Sequence, residues 1–440
     1  MEPQSLTRIV SEEEFLPLVQ ESSVSFFKTF NAFSKLPNKN IEITRKFYSN
    51  LIQEADLLES FMDEYGARQN QTWSFFTEYI ACIRNLVKAA FYTKHILDRY
   101  PAYRLRDSDE IKKTFFKDGH EALSFLNRSI LNLYDECIRA SGKNNLVVSP
   151  DAIDPNEFTE VEVNKQLPKS AEDDIVKEDE DRIIDLFEKM SGLSTMMESL
   201  QLPVIMDPEE LKKIVPGKLD EKKVRNMMSL IHSVQSEFDT YVKNTRIEQK
   251  HKFLKDFRGY ISMPLHLLEI MIWLCHFYER HEDEIRHGEC KKTIATLVNK
   301  SELLSQIVNF CYKNCLYYIR EGDLLSKEIL KSFIKTVQYE LPIPQPLGFH
   351  ARPSTYISLI VRKYDLETFL LVDGEKFNCK SVMSLLQAGG AIADKGYQSV
   401  LFEGDKRVLN DIKILSEHNY CEDEDIPEGL SYLRTMREPS

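Results

Sequence analysis

Along the first 340 residues, apolar positions recur at intervals of three and four, the period of a helix with one buried face. Phe76, Ile80, Ile83, Val87, Ala90 and Leu97 form one row, breached only by Lys94, and Leu123, Leu126, Ile130, Leu133 and Cys137 form a second. Two earlier helical stretches, about 12–35 and 41–65, bring the count to four. The short polar break at 36–40 suits an up-and-down bundle over residues 1–145. Val224, Met227, Ile231, Val234, Phe238 and Tyr241 open another series, with further helices expected near 256–283, 290–320 and 323–337. These predict a second bundle over 183–339. Between the two, residues 151–182 hold 12 acidic and 4 basic side chains together with Pro155 and Pro168. Such a stretch repels itself and buries little, so 146–182 is expected as an extended or mobile acidic linker.

The period changes near Leu341, where Pro342, Pro344 and Pro346 end the helical pattern. A helix over 354–364 would turn Ile357, Ile360, Val361 and Tyr364 inward. Residues 366–372 and 376–379 read as strands joined by the Asp373-Gly374 hairpin turn. A short helix at 381–388, a strand at 399–402 and a last helix through Val408, Ile412 and Leu415 complete the order β-α-β-β-α-β-α. That order predicts a four-stranded antiparallel sheet covered on one face by three helices, an open-faced α+β sandwich over 340–433 with a tail at 434–440. Pro342 and Pro344 are tolerable only if the first strand lies at the sheet edge.

Composition narrows the functional classes. The chain is 42% hydrophobic and 29% charged, ordinary for a protein that buries a core. Its formal charge, 57 − 70 = −13, argues against general nucleic-acid binding and against docking on an anionic membrane. Of that, −8 (4 − 12) falls in residues 151–182. The most apolar stretch, 261–278, is interrupted by Pro264, His266 and Glu269, whereas a membrane span needs about 20 nearly uncharged residues. Eight scattered cysteines without CxxC pairs suit reduced thiols, and with no secretory pattern at the N-terminus the expected location is cytoplasmic. Cys311 and Cys315 stand four apart, with His276, His281, His287 and Cys290 nearby in sequence, but they continue the apolar stripe of Leu304 and Val308. They are read as core, and no metal or cofactor is expected. The helical 340 residues show no paired carboxylates, phosphate loop or triad.

Chemistry concentrates at Gly348-Phe-His-Ala-Arg-Pro-Ser-Thr355. His350 stands just before a helix, and Pro353 occupies an early helical position where its missing N–H costs nothing. The N–H groups of Ala351 and Arg352 would point at whatever the imidazole carries, and a phosphoryl group there gains the helix-end field, about 0.3–1 kcal/mol. The Arg352 guanidinium adds a planar fork for phosphate oxygens, and a neutral imidazole is a competent nucleophile near neutral pH. A histidine capping a helix at a loop would have the same position without the chemistry.

The motif at 348–355 resembles the active-site motif of HPr, the histidine-containing phosphocarrier protein of the phosphotransferase system. Cys379-Lys-Ser-Val-Met383 is similar to the second HPr motif, built round a regulatory serine. The resemblance implies an HPr-like domain in which His350 Nδ1 accepts a phosphoryl group from an Enzyme I-type donor. The acceptor would be an EIIA-type or regulatory protein. It further implies a phosphosite at Ser381 for an HPr kinase/phosphorylase, although serine there is equally an ordinary helix N-cap. Val382, Met383 and Leu386 are divided between core and a partner-docking patch. Ser354 replaces the usual alanine, and residues 389–396 form a segment about three residues longer than usual, expected as a loop. A phosphoryl carrier with a regulatory role, rather than a turnover enzyme, is the leading expectation. The alternative is a non-catalytic interaction or scaffold protein that uses the domain for docking.

Overall fold

The computed structural model describes residues 9–39, 42–160, 180–202, 207–281, 288–333, 335–393, 395–422 and 425–437. It divides the chain into two compact units, Met1–Ile329 and Leu330–Ser440.

The first unit is helical: α1 (Glu12–Ser22), α2 (Val24–Lys39), α3 (Arg45–Glu64), α4 (Ser74–Arg99), α5 (Asp109–Lys143), α6 (Glu180–Glu198), α7 (Pro208–Ile214), α8 (Glu221–Tyr241), α9 (Arg246–Lys250), α10 (Phe253–His281), α11 (Glu289–Leu297), α12 (Lys300–Ser305), a π-helical stretch Gln306–Tyr312, and α13 (Lys313–Lys331). The row on α4 is buried from Phe76 to Leu97, and Lys94 resolves its breach by pairing with Asp98 and Glu42. On α5, Leu126, Ile130, Leu133 and Cys137 are buried while Leu123 is only half-buried.

The stretches before and after the acidic segment are not two bundles. Helix α4 buries residues on several sides, among them Tyr79, Cys82, Asn85 and Ala89, and packs against α3, α5 and α10 together. A helix apolar on more than one stripe needs neighbours on more than one side. Helix α10 is long and apolar enough to cross a membrane by length and composition, and 78% of its most apolar window is buried inside the protein.

Other boundaries also differ from expectation. The stretch 12–35 is two helices, broken at Ser23. The stretch 290–320 breaks at Val298, after which Asn299 caps α12 by accepting from the Glu302 N–H. From Lys300 the backbone then stays helical to Lys331, so no separate helix spans 323–337. The acidic segment is held against the helical unit over its first part. Asn31 donates to the carbonyls of Ser149 and Asp151, Thr44 donates to that of Phe158, and Arg45 pairs with Glu160 at 2.8 Å. Residues 161–179 of the expected linker lie outside the described residues, and 180–182 already belong to α6.

The second unit begins earlier than expected, near Leu330. It carries β1 (Thr336–Pro342), α14 (Ala351–Tyr364), β2 (Thr368–Val372), β3 (Glu375–Asn378), α15 (Val382–Ala393), β4 (Ser399–Asp405), α16 (Lys406–Glu417) and α17 (Tyr432–Arg437). The sheet is antiparallel in the order β1-β4-β2-β3, which puts the proline-bearing β1 at an edge. Ile357, Ile360 and Val361 of α14 meet Leu370, Phe402, Leu385, Val408, Ile412 and Leu415 in one core. The segment expected as a longer loop is helical as far as Ala393, so α15 is lengthened rather than the connection. Leu430 and Leu433, at the end of the expected domain, join its core, the hydroxyls of Tyr432 and Tyr364 both donate to Asp411, and α17 runs on to Arg437 in the stretch expected as a tail.

Candidate functional site

The loop before α14 is shaped by two demands. Gly348 adopts φ +66°, a conformation that costs a side chain but not glycine. Phe349 then drops into the core, its ring 6.1 Å from that of Phe402 and 5.8 Å from that of Tyr420. Burying Phe349 fixes the next residue at the surface. His350 occupies the N-cap position of α14 with extended backbone, and its side chain makes no cap bond. The imidazole is 32% exposed. Ala351 and Arg352, exposed in the first turn, carry N–H groups that have no intrahelical partner, and Pro353 has none to satisfy. Ser354, buried, donates to the carbonyl of Phe349, so the departure from alanine ties the loop to the helix.

Helix α15 closes the other side. A Cβ on Gly389 would stand 2.6 Å from the Phe349 carbonyl oxygen, so only glycine lets α15 approach this loop so closely. At its start, Ser381 is exposed and its Oγ accepts from the Ser384 N–H at 3.3 Å, a long N-cap bond. Val382 and Leu386 are half-buried and Met383 is 67% exposed, while Leu385 takes the inward position. Leu347, on the loop itself, is 72% exposed and was not singled out by the sequence pattern.

Sequence reasoning also missed Glu422. Its Oε1 lies 3.0 Å from His350 Nε2, and its side chain is only 11% exposed. The angles fall outside hydrogen-bond geometry, and neither atom has a hydrogen-bond partner, so the two groups lie side by side without a hydrogen bond. Arg352 Nη1 donates to the Glu422 carbonyl at 3.1 Å, which turns the guanidinium toward the chain after α16. That chain is held in an unusual form. Asn419, Tyr420 and Cys421 have φ of 45°, 55° and 59°, three consecutive non-glycine residues in the left-handed region. Such a turn persists only where its surroundings fix it. The Asn419 amide pairs with both N and O of Gln345, and the buried Tyr420 donates its hydroxyl to the Pro342 carbonyl. Both anchors lie in the segment leading to His350. The acidic run beginning at Glu422 is visible in the sequence, but only the turn shows that its first member reaches the histidine.

An imidazole at an N-cap it does not use, helix-end N–H groups and an arginine within the first turn can together receive an anion. Residues 337–395 match the family model described as the PTS HPr component phosphorylation site. The C-terminal unit is an HPr-like domain. The match runs from β1 through α15 and so includes both sequence motifs, while the rest of the chain matches no family model. Neither the curated proteins nor the solved structures contain a match to this chain. The HPr-like domain relates the protein to phosphotransferase-type phosphocarrier or regulatory modules, and to their phosphotransfer partners in general.

Proposed function

We propose that His350 accepts a phosphoryl group from an Enzyme I-type donor, and that its phosphorylation state is passed on or read out by a partner. The observation that carries this reading is the imidazole itself, exposed at an N-cap it does not use and beside the unsatisfied N–H groups of Ala351 and Arg352. In the proposed step, the Nδ1 lone pair attacks phosphorus. The donor's P–N bond breaks with its electron pair left on the donor imidazole, and a P–Nδ1 bond forms. The proton stays on Nε2, the nitrogen beside Glu422, which supports Nδ1 as the attacking atom. The N–H groups of Ala351 and Arg352 receive the phosphoryl oxygens, and the Arg352 guanidinium joins them by releasing the Glu422 carbonyl.

Met383, with Val382 and Leu386 beside it, supplies the apolar docking surface for donor and acceptor, and methionine there can repack against more than one partner. Phosphorylation of Ser381 by an HPr kinase/phosphorylase would place a dianion at the start of α15 and oppose an anionic donor. An EIIA-type or regulatory protein is the proposed acceptor, and the cytoplasm the proposed location. The second reading, a docking module without transfer, is favoured by one observation: Glu422 engages both His350 and Arg352. Incubating the full chain with phosphoenolpyruvate and Enzyme I separates the two readings. Label on the wild type that is absent from His350→Ala supports transfer, and label on neither supports docking alone.

A further inference from the structure

We propose that Glu78, Cys82 and His281, inside the helical unit, form a binding site for a zinc-class divalent ion. Glu78 and Cys82 stand four residues apart on α4, one turn along a single face, and His281 is the last residue of α10, which packs against it. One donor atom from each of the three lies within 4.8 Å of the others. Cys82 is fully buried, His281 nearly so, and Glu78 is at the edge. A tetrahedral ion with bonds of about 2.0–2.3 Å needs its ligand atoms roughly 3.3–3.8 Å apart, so small side-chain movements suffice.

The independent observation is Asn85, one turn beyond Cys82 on the same face. It is completely buried, its Nδ2 lies 3.0 Å from His281 Nε2, and its Oδ1 has no hydrogen-bond partner. In this arrangement the amide donates to Nε2, and His281 Nδ1–H donates to Glu78 Oε1, 2.6 Å away. A bound ion would take the place of that proton on Nδ1, and with the proton moved to Nε2 a turned amide would accept it through Oδ1, which has no partner now. An amide holding the far nitrogen is also the usual support of a metal-bound histidine. Thiolate, imidazole and carboxylate together suit zinc rather than the all-oxygen shells of calcium or magnesium. Three protein ligands leave the fourth position to a water or an anion.

Lys291 is the competitor. Its ammonium lies against the same Glu78 oxygen, and Arg68 Nη1 is 3.4 Å from the other, so the ion must displace Lys291. The test uses the reduced full chain titrated with Co2+. We expect one equivalent to bind with a thiolate-to-cobalt charge-transfer band, reversed by Zn2+. The band should vanish in Cys82→Ala, persist in Cys290→Ala, weaken about 10–100-fold in affinity in Asn85→Ala, and tighten in Lys291→Met. Should Cys82→Ala fail to fold by circular dichroism, Glu78→Gln must weaken binding at least tenfold. Absence of the band in the wild type, or its survival in folded Cys82→Ala, overturns the proposal. Cobalt affinity unchanged in Glu78→Gln overturns it equally.

Discussion

Replacing Gly389 by alanine tests whether the close approach of α15 holds the His350 loop in place. The added Cβ would meet the Phe349 carbonyl oxygen at 2.6 Å, and the carbonyl carbon and Cβ of the same residue at 3.3 Å. The nearest atom belongs to backbone, so a side-chain rotation does not relieve the contact, and helix or loop must retreat by about 0.8 Å to reach ordinary contact. Overpacking of this kind costs about 1–3 kcal/mol. Alanine returns up to about 1 kcal/mol through its better helix propensity. The expected net loss is therefore roughly 1–2 kcal/mol, a factor of about 5–30 in the folded-to-unfolded ratio of this unit. Hydrogen exchange with mass spectrometry on the full chain reads it directly, as exchange faster by that factor in the most protected amides of β2 and β4. A control at Gly390, where an added Cβ would meet nothing within 4 Å, should leave exchange no faster. Unchanged or slower exchange in Gly389→Ala would refute the packing argument.

Two further predictions concern a cap and a buried histidine. Ser381→Ala removes the N-cap of α15 and should cost at the lower end of about 0.5–2 kcal/mol, since the bond is 3.3 Å long, again read by exchange in that helix. Ser381→Asp should keep the cap yet slow phosphoryl acceptance at His350, and equal acceptance would remove the switch from the account. His95 is held down to about 4 from an ordinary 6.5, first by burial and then by the charges of His266 and Arg45. Because its folded value is depressed, the unfolded chain binds the extra proton first. Stability of the helical unit should thus fall as pH drops from about 6.5 toward 4 and level off below. His95→Gln should flatten that limb in urea unfolding followed by circular dichroism, and an unaltered slope would assign it to other groups.

Much of this structure was legible where one short-range rule decides it. The three–four rows on α4 and α8 and the apolar run of β2 depend on each element's own face meeting a core, and Asp373-Gly374 at positive φ is set by turn chemistry alone. What escaped is set by partners distant in sequence. The union of the helical stretches into one unit rests on α4 facing α10, about 180 residues later. The continuation of α15 through Gly389-Gly390 reads as loop composition, but at Gly389 the missing Cβ serves contact with Phe349. The same holds at the candidate site. His350, Arg352 and Ser381 stand in local motifs, whereas Glu422 reaches His350 only through a left-handed turn anchored on Gln345 and Pro342. Glu78, Cys82 and His281 are separated by about 200 residues, so no local spacing could pair the first two with the third.

The central claim rests on one bond, between phosphorus and a nitrogen of His350. Mapping the full chain by mass spectrometry after exposure to phosphoenolpyruvate and Enzyme I tests it most directly. The expected result is a single acid-labile, base-stable phosphoryl group on the peptide containing His350, lost in His350→Ala. A protein that stays unmodified, or one that carries the group on any other residue, would contradict it.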